Sequence, residues 1–183
     1  MSQDTTLAKI TLGGGCFWCI EAVFNSMIGV ESALSGYMGG SVTNPTYRDV
    51  CTGATGHAEV VQVTFDPSKV TLRDILEVFF IIHDPTTLNR QGADVGTQYR
   101  SAIFYENDTQ KQVVNLMFQE MKLSNLYDAP IVTEVALSTK FYLAEDYHQE
   151  YYFANSAQPY CRAVIAPKME KFRKLFKEKV REQ

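Results

Sequence analysis

The run Gly13-Gly14-Gly15-Cys16-Phe17-Trp18-Cys19 holds the first suggestion of chemistry in this chain. It follows a strand-like stretch, Ala8 to Leu12, and opens a helical pattern that continues to about Met27. A cysteine at that turn meets the free N–H groups of a helix start, which favour negative charge. Cys16 therefore has a reason to ionise below the free-thiol pKa of about 8.5, and the thiolate is the nucleophile. The glycines would let another molecule approach the backbone closely. They do not form Gly-x-Gly-x-x-Gly, so a nicotinamide cofactor is not indicated and no other cofactor is expected. The plainer reading of Cys16 is a small buried residue. Phe17 and Trp18, the sole tryptophan, are read either as core packing or as an apolar wall for a substrate methyl group.

Cys19 makes a Cys-x-x-Cys with Cys16, and helix spacing puts both sulfurs near one face. This is either a redox pair or half of a zinc site. A structural zinc site needs a second ligand pair. Cys51 and Cys161 stand alone, and His57, His83 and His148 show no paired spacing, so no metal is expected. A general thiol–disulfide oxidoreductase using Cys16 and Cys19, and a zinc-binding module, are the two alternatives carried forward.

The elements that must position these residues are ordinary ones. The chain has 183 residues with 45% hydrophobic and 21% charged side chains, which fits one soluble domain able to bury a core without staples. The net charge is −4 and no basic stripe is present, so neither nucleic acid nor an acidic membrane surface is expected as a partner. The longest apolar run, Val78 to Ile82, is too short to cross a bilayer. Met1 to Ala8 is polar and lacks a signal-peptide pattern. The expectation is a cytoplasmic monomer, where structural disulfides are rare.

Strands are expected at Val30 to Met38, Ala58 to Phe65, Ser101 to Tyr105 and Ile131 to Leu137, with Val61, Val63 and Phe65 sharing one face. Helices are expected over Thr71 to Ile82, from a cap at Asp108 or Thr109 through Met121, over Ala144 to Phe153, and over Pro167 to Val180. The order predicts an α+β fold: a two-layer sandwich with a mixed sheet and a ferredoxin-like core. Two long stretches, Gly39 to His57 and His83 to Arg100, lack periodicity and are read as ordered functional loops carrying Tyr47, Asp94 and Tyr99.

Several segments together resemble the A-type peptide methionine sulfoxide reductases. Gly14-Gly15-Cys16-Phe17-Trp18 is similar to that family's active-site signature. Similar motifs follow in order: Gly36-Tyr37-Met38-Gly39-Gly40, Asn44-Pro45-Thr46-Tyr47-Arg48, Thr55-Gly56-His57-Ala58-Glu59, and His83-Asp84-Pro85. The long run from Arg90 to Ser101, then Ala144-Glu145-Asp146-Tyr147-His148-Gln149 and Tyr160-Cys161, complete the set. The likeness covers about residues 10 to 170.

The resemblance implies a set of roles. Cys16 would attack the sulfoxide sulfur, and Glu59 would protonate the sulfoxide oxygen. Tyr47 and Tyr99 would donate hydrogen bonds to that oxygen, Asp94 would fix the substrate backbone, and Phe17 and Trp18 would enclose the S-methyl group. The Cys16 sulfenic acid would be resolved by Cys161, in a polar tail flexible enough to reach it, with thioredoxin reducing the disulfide. The family's A type acts on the S epimer, in proteins and as free methionine sulfoxide. Many relatives have glycine where Cys19 stands, so Cys19 is a second candidate for the resolving thiol. Cys51 is read as a bystander, and His83 and His148 as satisfied groups that order loops.

Overall fold

A computed structural model describes residues 6–182. The stretch from Met1 to Ala8, read for a leader pattern, lies outside these residues up to Thr5. The chain begins with strand β1 (Ala8–Gly13), helix α1 (Phe17–Asn25) and strand β2 (Val30–Met38). A one-turn helix α2 (Tyr47–Cys51) precedes β3 (Ala58–Phe65) and α3 (Leu72–Ile82). A small hairpin, β4 (Arg90–Gln91) and β5 (Asp94–Val95), leads to β6 (Ala102–Tyr105), α4 (Asp108–Leu123), β7 (Glu134–Leu137) and β8 (Tyr142–Leu143). Helices α5 (Tyr151–Ala154) and α6 (Ala166–Leu175) finish the order, with a π-helical turn, Cys161–Ile165, running into α6.

Six strands form one sheet in the order β7-β6-β1-β3-β2-β8. Its neighbours are antiparallel except for the parallel pair β6–β7, so the sheet is mixed and the fold α+β. Side chains alternate faces along a strand. In β3, Val61, Val63 and Phe65 join Ile10 and Leu12 in the buried cluster beneath α1 and α3, while Ala58 and Val60 pack on the other face with Met38, Ala102 and Phe104. The same alternation turns Glu59 toward the helices. Thr71 and Asp74 form a reciprocal cap at the start of α3, and Thr46 and Asp49 do the same for α2.

The eight expected main elements are present in the expected order, and the differences lie at the edges. The cap of α4 is Asn107, whose side chain accepts from Gln110 N–H, rather than Asp108 or Thr109. The strand expected from Ile131 begins at Glu134. The helix expected over Ala144 to Phe153 is broken: a 3-10 turn, Asp146–His148, gives way to Glu150 in the left-handed region (φ 54°), and α5 follows. The two long loops contain α2 and the β4–β5 hairpin. Each is shorter than any periodicity reveals, as is the edge strand β8.

Candidate active site

Cys16 is the residue that caps α1, with extended backbone (φ −60°, ψ 126°) and only 8% of its surface exposed. The two glycines before it are explained by the protein's own side chains rather than by a ligand. A Cβ on Gly14 would lie 3.0 Å from the His83 ring, and one on Gly15, which has φ +89°, would lie 2.8 Å from Gln91. The Gly15 N–H donates to the Tyr99 carbonyl at 3.2 Å, which ties the cysteine turn to the 3-10 turn Thr97–Tyr99.

Glu59 comes up from β3 beneath this turn. One carboxyl oxygen accepts from the Phe17 N–H at 3.2 Å; the other is buried without a partner. Burial raises the Glu59 carboxyl to about 8, against the lowering effect of the Phe17 N–H, with Asp94 adding to the rise. Glu59 therefore holds its proton near neutral pH, where an exposed strand-end carboxylate would have lost it.

The expectation of a readily ionised Cys16 is overturned. Burial pushes its thiol well above the ordinary value, and Glu59 and Cys19 push the same way; the Trp18 N–H and the Tyr160 hydroxyl oppose them and lose. The free N–H groups of a helix start act over one turn, whereas desolvation acts on the whole sulfur. Cys16 and Glu59 both rest in their protonated forms.

Tyr47 heads α2 and Tyr99 ends the 3-10 turn, both half-buried. Burial first and Glu59 second raise both phenols, so each keeps its O–H. Phe17 is fully buried among Tyr37, Tyr47 and His148, with ring centroids 5.8, 6.3 and 5.1 Å away. Of the two expected wall residues, only Trp18 retains exposed surface. The Trp18 indole stacks on Tyr151 at 3.7 Å and donates from Nε1 to His148 Nδ1 at 3.0 Å. Asp94 opens β5 and accepts from the Tyr160 hydroxyl at 2.8 Å.

The polar tail expected to swing Cys161 toward the site is not a tail. Cys161 sits in the π-helical turn that continues into α6, fully buried in the main core cluster. Burial raises its thiol. Cys19 is also buried; burial raises its thiol, Lys168 and the Tyr160 hydroxyl oppose this, and Asp94 and Cys161 add to it. Electrostatic neighbours thus run from Cys16 to Cys19 and from Cys19 to Cys161, and all four cysteines are free thiols. Cys51 is exposed, at the end of α2 on the Tyr47 side. A cleft of about 760 Å³ opens beside Cys16 and Asp94, walled by the end of α3, the hairpin and α6.

The family model of the peptide methionine sulfoxide reductases matches residues 8–180. The chain belongs to this family. It is 53% identical over 178 residues to the peptide methionine sulfoxide reductase MsrA of Polynucleobacter asymbioticus, covering 97% of this chain and 94% of that one. Mxr1 from Saccharomyces cerevisiae in reduced form superposes with a TM-score of 0.76 at 34% identity, over 88% of this chain and 92% of that one. The same yeast protein in complex with Trx2 matches with a TM-score of 0.53 at 25% identity, over 82% and 88% of the two chains. The chain is an oxidoreductase that reduces methionine sulfoxide.

Around Cys16 this reductase gathers Glu59, Tyr47, Tyr99, Asp94 and Trp18, with Cys19 and Cys161 behind. Three residues that the sequence reading did not place at the site also belong to it. Tyr160 lies beside both Cys16 and Cys19, and its place next to Cys161 in a recognised motif was the available signal. His148 receives the Trp18 indole proton; its Nε2 is buried without a partner, so it is half-satisfied rather than satisfied. Glu145 accepts from both Tyr37 and Tyr47. His83 does order a loop: its Nε2 lies 2.8 Å from Ser101 Oγ and its Nδ1 meets the Phe79 carbonyl. Burial lowers its pKa to about 4, so it is neutral. Among the described residues, no group of three or more His, Cys, Asp and Glu side chains is placed to hold a metal ion. No described helix is long and apolar enough to cross a membrane.

Proposed function

We propose that this chain reduces methionine-(S)-sulfoxide through Cys16, with Glu59 as the proton donor. The buried, protonated Glu59 carboxyl, hydrogen-bonded to the amide next to Cys16, is the observation that carries the reading. The sulfoxide oxygen is a strong acceptor, and the site offers it the O–H groups of Glu59, Tyr47 and Tyr99. As the Cys16 sulfur attacks the sulfoxide sulfur, Glu59 protonates the oxygen and the thiol proton is released, returning to the Glu59 carboxylate. The sulfur–sulfur bond so formed and the S–O bond of the substrate then break, and the protonated oxygen ends as a hydroxyl on Cys16. Methionine leaves, two electrons having passed from the thiol to the sulfoxide, and Cys16 is a sulfenic acid. Trp18, backed by Phe17, forms the wall for the S-methyl group, and Asp94 orients the substrate backbone.

In this reading Cys161 is the thiol that carries the final disulfide, and the packing supports a route to it through Cys19. Cys19 attacks the sulfenic acid with loss of water, and Cys161 then takes over the disulfide by thiol exchange. A dithiol protein reduces it; the yeast relative found in complex with Trx2 supports thioredoxin for this step. The substrate is carried in proteins or free. A cytoplasmic location suits a reaction that needs a reducing dithiol at hand. The single main core cluster supports one domain. The central strand order β6-β1-β3-β2, with α1 and α3 as crossovers, supports the ferredoxin-like core of a two-layer sandwich.

The deciding experiment is a single turnover on a peptide bearing the S-sulfoxide, without reductant, comparing wild type with Cys16→Ser, Cys19→Ser and Cys161→Ser. Methionine is expected from all but Cys16→Ser. Wild-type rates from Cys16→Ser would remove the central role assigned to that thiol. A general thiol–disulfide oxidoreductase would instead exchange disulfides without consuming sulfoxide.

A further inference from the structure

Three of the motifs singled out in the sequence meet at one carboxylate. Glu145, between β8 and the 3-10 turn Asp146–His148, is half-buried against α2 and the end of β2. Its Oε1 accepts from the Tyr37 hydroxyl at 3.0 Å. Its Oε2 accepts from the Tyr47 backbone N–H at 3.1 Å and from the Tyr147 hydroxyl at 3.2 Å. Tyr37 is fully buried, so one end of this network is held by the core. The other end is the first residue of α2, a helix of a single turn too short to fix its own orientation. Partial burial pushes the Glu145 carboxyl up, but hydrogen bonds from its own N–H, from Tyr47 and from the two hydroxyls outweigh it and hold it below its ordinary value. Glu145 is therefore a carboxylate at neutral pH.

The segment bearing Glu145 is itself anchored. The Gln149 side chain accepts from Ser35 N–H at 3.0 Å and donates to the Ser35 carbonyl at 2.9 Å, continuing the sheet edge past β8. The buried Glu21 of α1 accepts from Ser35 Oγ at 2.6 Å and from the Glu150 N–H. Residues 144–150 thus form a strap fastened to β2 and α1, with Glu145 reaching out from it to α2.

We propose that Glu145 is a positioning residue that aims Tyr47 at the sulfoxide oxygen. It touches no reacting atom. It fixes the backbone at Tyr47 relative to the sheet that carries Glu59, so that the phenol and the carboxyl converge on one point. The inference rests on the role given to Tyr47 above. Hydrogen bonds to a developing oxygen charge lose their effect steeply with misplacement, and a shift near 1 Å can cost about 100-fold in rate.

The test is a double-variant cycle in the full chain: Glu145→Gln, Tyr47→Phe and the two combined, measured for kcat and KM on a sulfoxide peptide. Each single variant is expected to lower kcat about 10- to 100-fold with KM within about threefold. In the Tyr47→Phe background, Glu145→Gln should cost no more than about twofold, because the group it aims is gone. If the double variant instead loses the product of the two single losses, Glu145 does not act through Tyr47 and the inference fails. A Tyr47→Phe rate equal to wild type overturns both the inference and the role of Tyr47 on which it rests. Tyr37→Phe provides a second route that leaves the carboxylate in place but removes its tether to the core. It is expected to lower kcat severalfold, with the loss disappearing in Tyr47→Phe. A wild-type kcat for Tyr37→Phe, or a loss that persists undiminished in Tyr47→Phe, counts against the proposal.

Discussion

The two flanks of Cys16 are built in different ways. On the Glu59 flank the groups are held by backbone hydrogen bonds or by a rigid element. Glu59 rises from the middle of the sheet, Tyr47 is tied through its N–H to Glu145, and the Tyr99 turn is pinned to Gly15. On the thiol flank, Cys19 and Cys161 lie in helices and are buried in the core, with the Tyr160 hydroxyl as the hydrogen-bonding neighbour of Cys19. The difference follows from what each half of the cycle asks. Proton delivery and oxyanion stabilisation gain from groups that stay still. Disulfide formation needs two Cα atoms within about 4.4 to 6.8 Å at a narrow torsion. Passing a disulfide along Cys16, Cys19 and Cys161 therefore depends on how closely those backbones approach one another rather than on how still each group is held.

The largest effect that would break this comparison is on Cys16 itself: Cys16→Ser should abolish methionine formation in a single turnover, leaving fold and melting temperature close to wild type. Next comes Glu59→Gln, expected to slow the same step about 100-fold or more, since general acid catalysis contributes on that order. The wild-type rate should fall as pH rises through about 8, because the protonated carboxyl is the donor and is lost above that pH. In Glu59→Gln that fall should vanish, and a persisting fall would assign it to another group. The thiol flank should respond in a different currency. Cys161→Ser should leave methionine formation intact and stop the disulfide at Cys16–Cys19, a pairing that peptide mapping reads directly. A sulfenic acid trapped there instead would show that Cys161 resolves Cys16 without Cys19. The smallest effect is on stability. Serine at buried Cys161 should cost about 1–3 kcal/mol by placing a hydroxyl in the core. Serine at exposed Cys51 should stay within about 0.5 kcal/mol, as denaturant melts would report.

Much of the fold was legible because apolar periodicity is a local signal. The alternation of Val61, Val63 and Phe65 and the spacing of Leu72, Ile75, Leu76 and Phe79 place β3 and α3 with the right faces inward. Elements too short for a period, α2, β8 and the β4–β5 hairpin, were not. The helix expected over Ala144 to Phe153 is interrupted because hydrogen bonds linking residues 149 and 150 to Ser35 and Glu21 hold the strap in another course.

At the site, the sequence by itself determined which groups are present and the family to which their order belongs. A nucleophile after glycines, an acid on a strand, tyrosines in loops and a cysteine near the end are all statements about residue type and spacing. Tertiary structure alone decided their protonation. Glu59 shares the inward face of β3, so its carboxyl keeps a proton that its position at a strand end would not suggest. Cys16 sits under the same cover, so burial reverses the ionisation that the start of α1 favours. Solvent access is the sum of everything packed around an atom, here including Tyr160, more than a hundred residues away in the chain. No local pattern carries that sum.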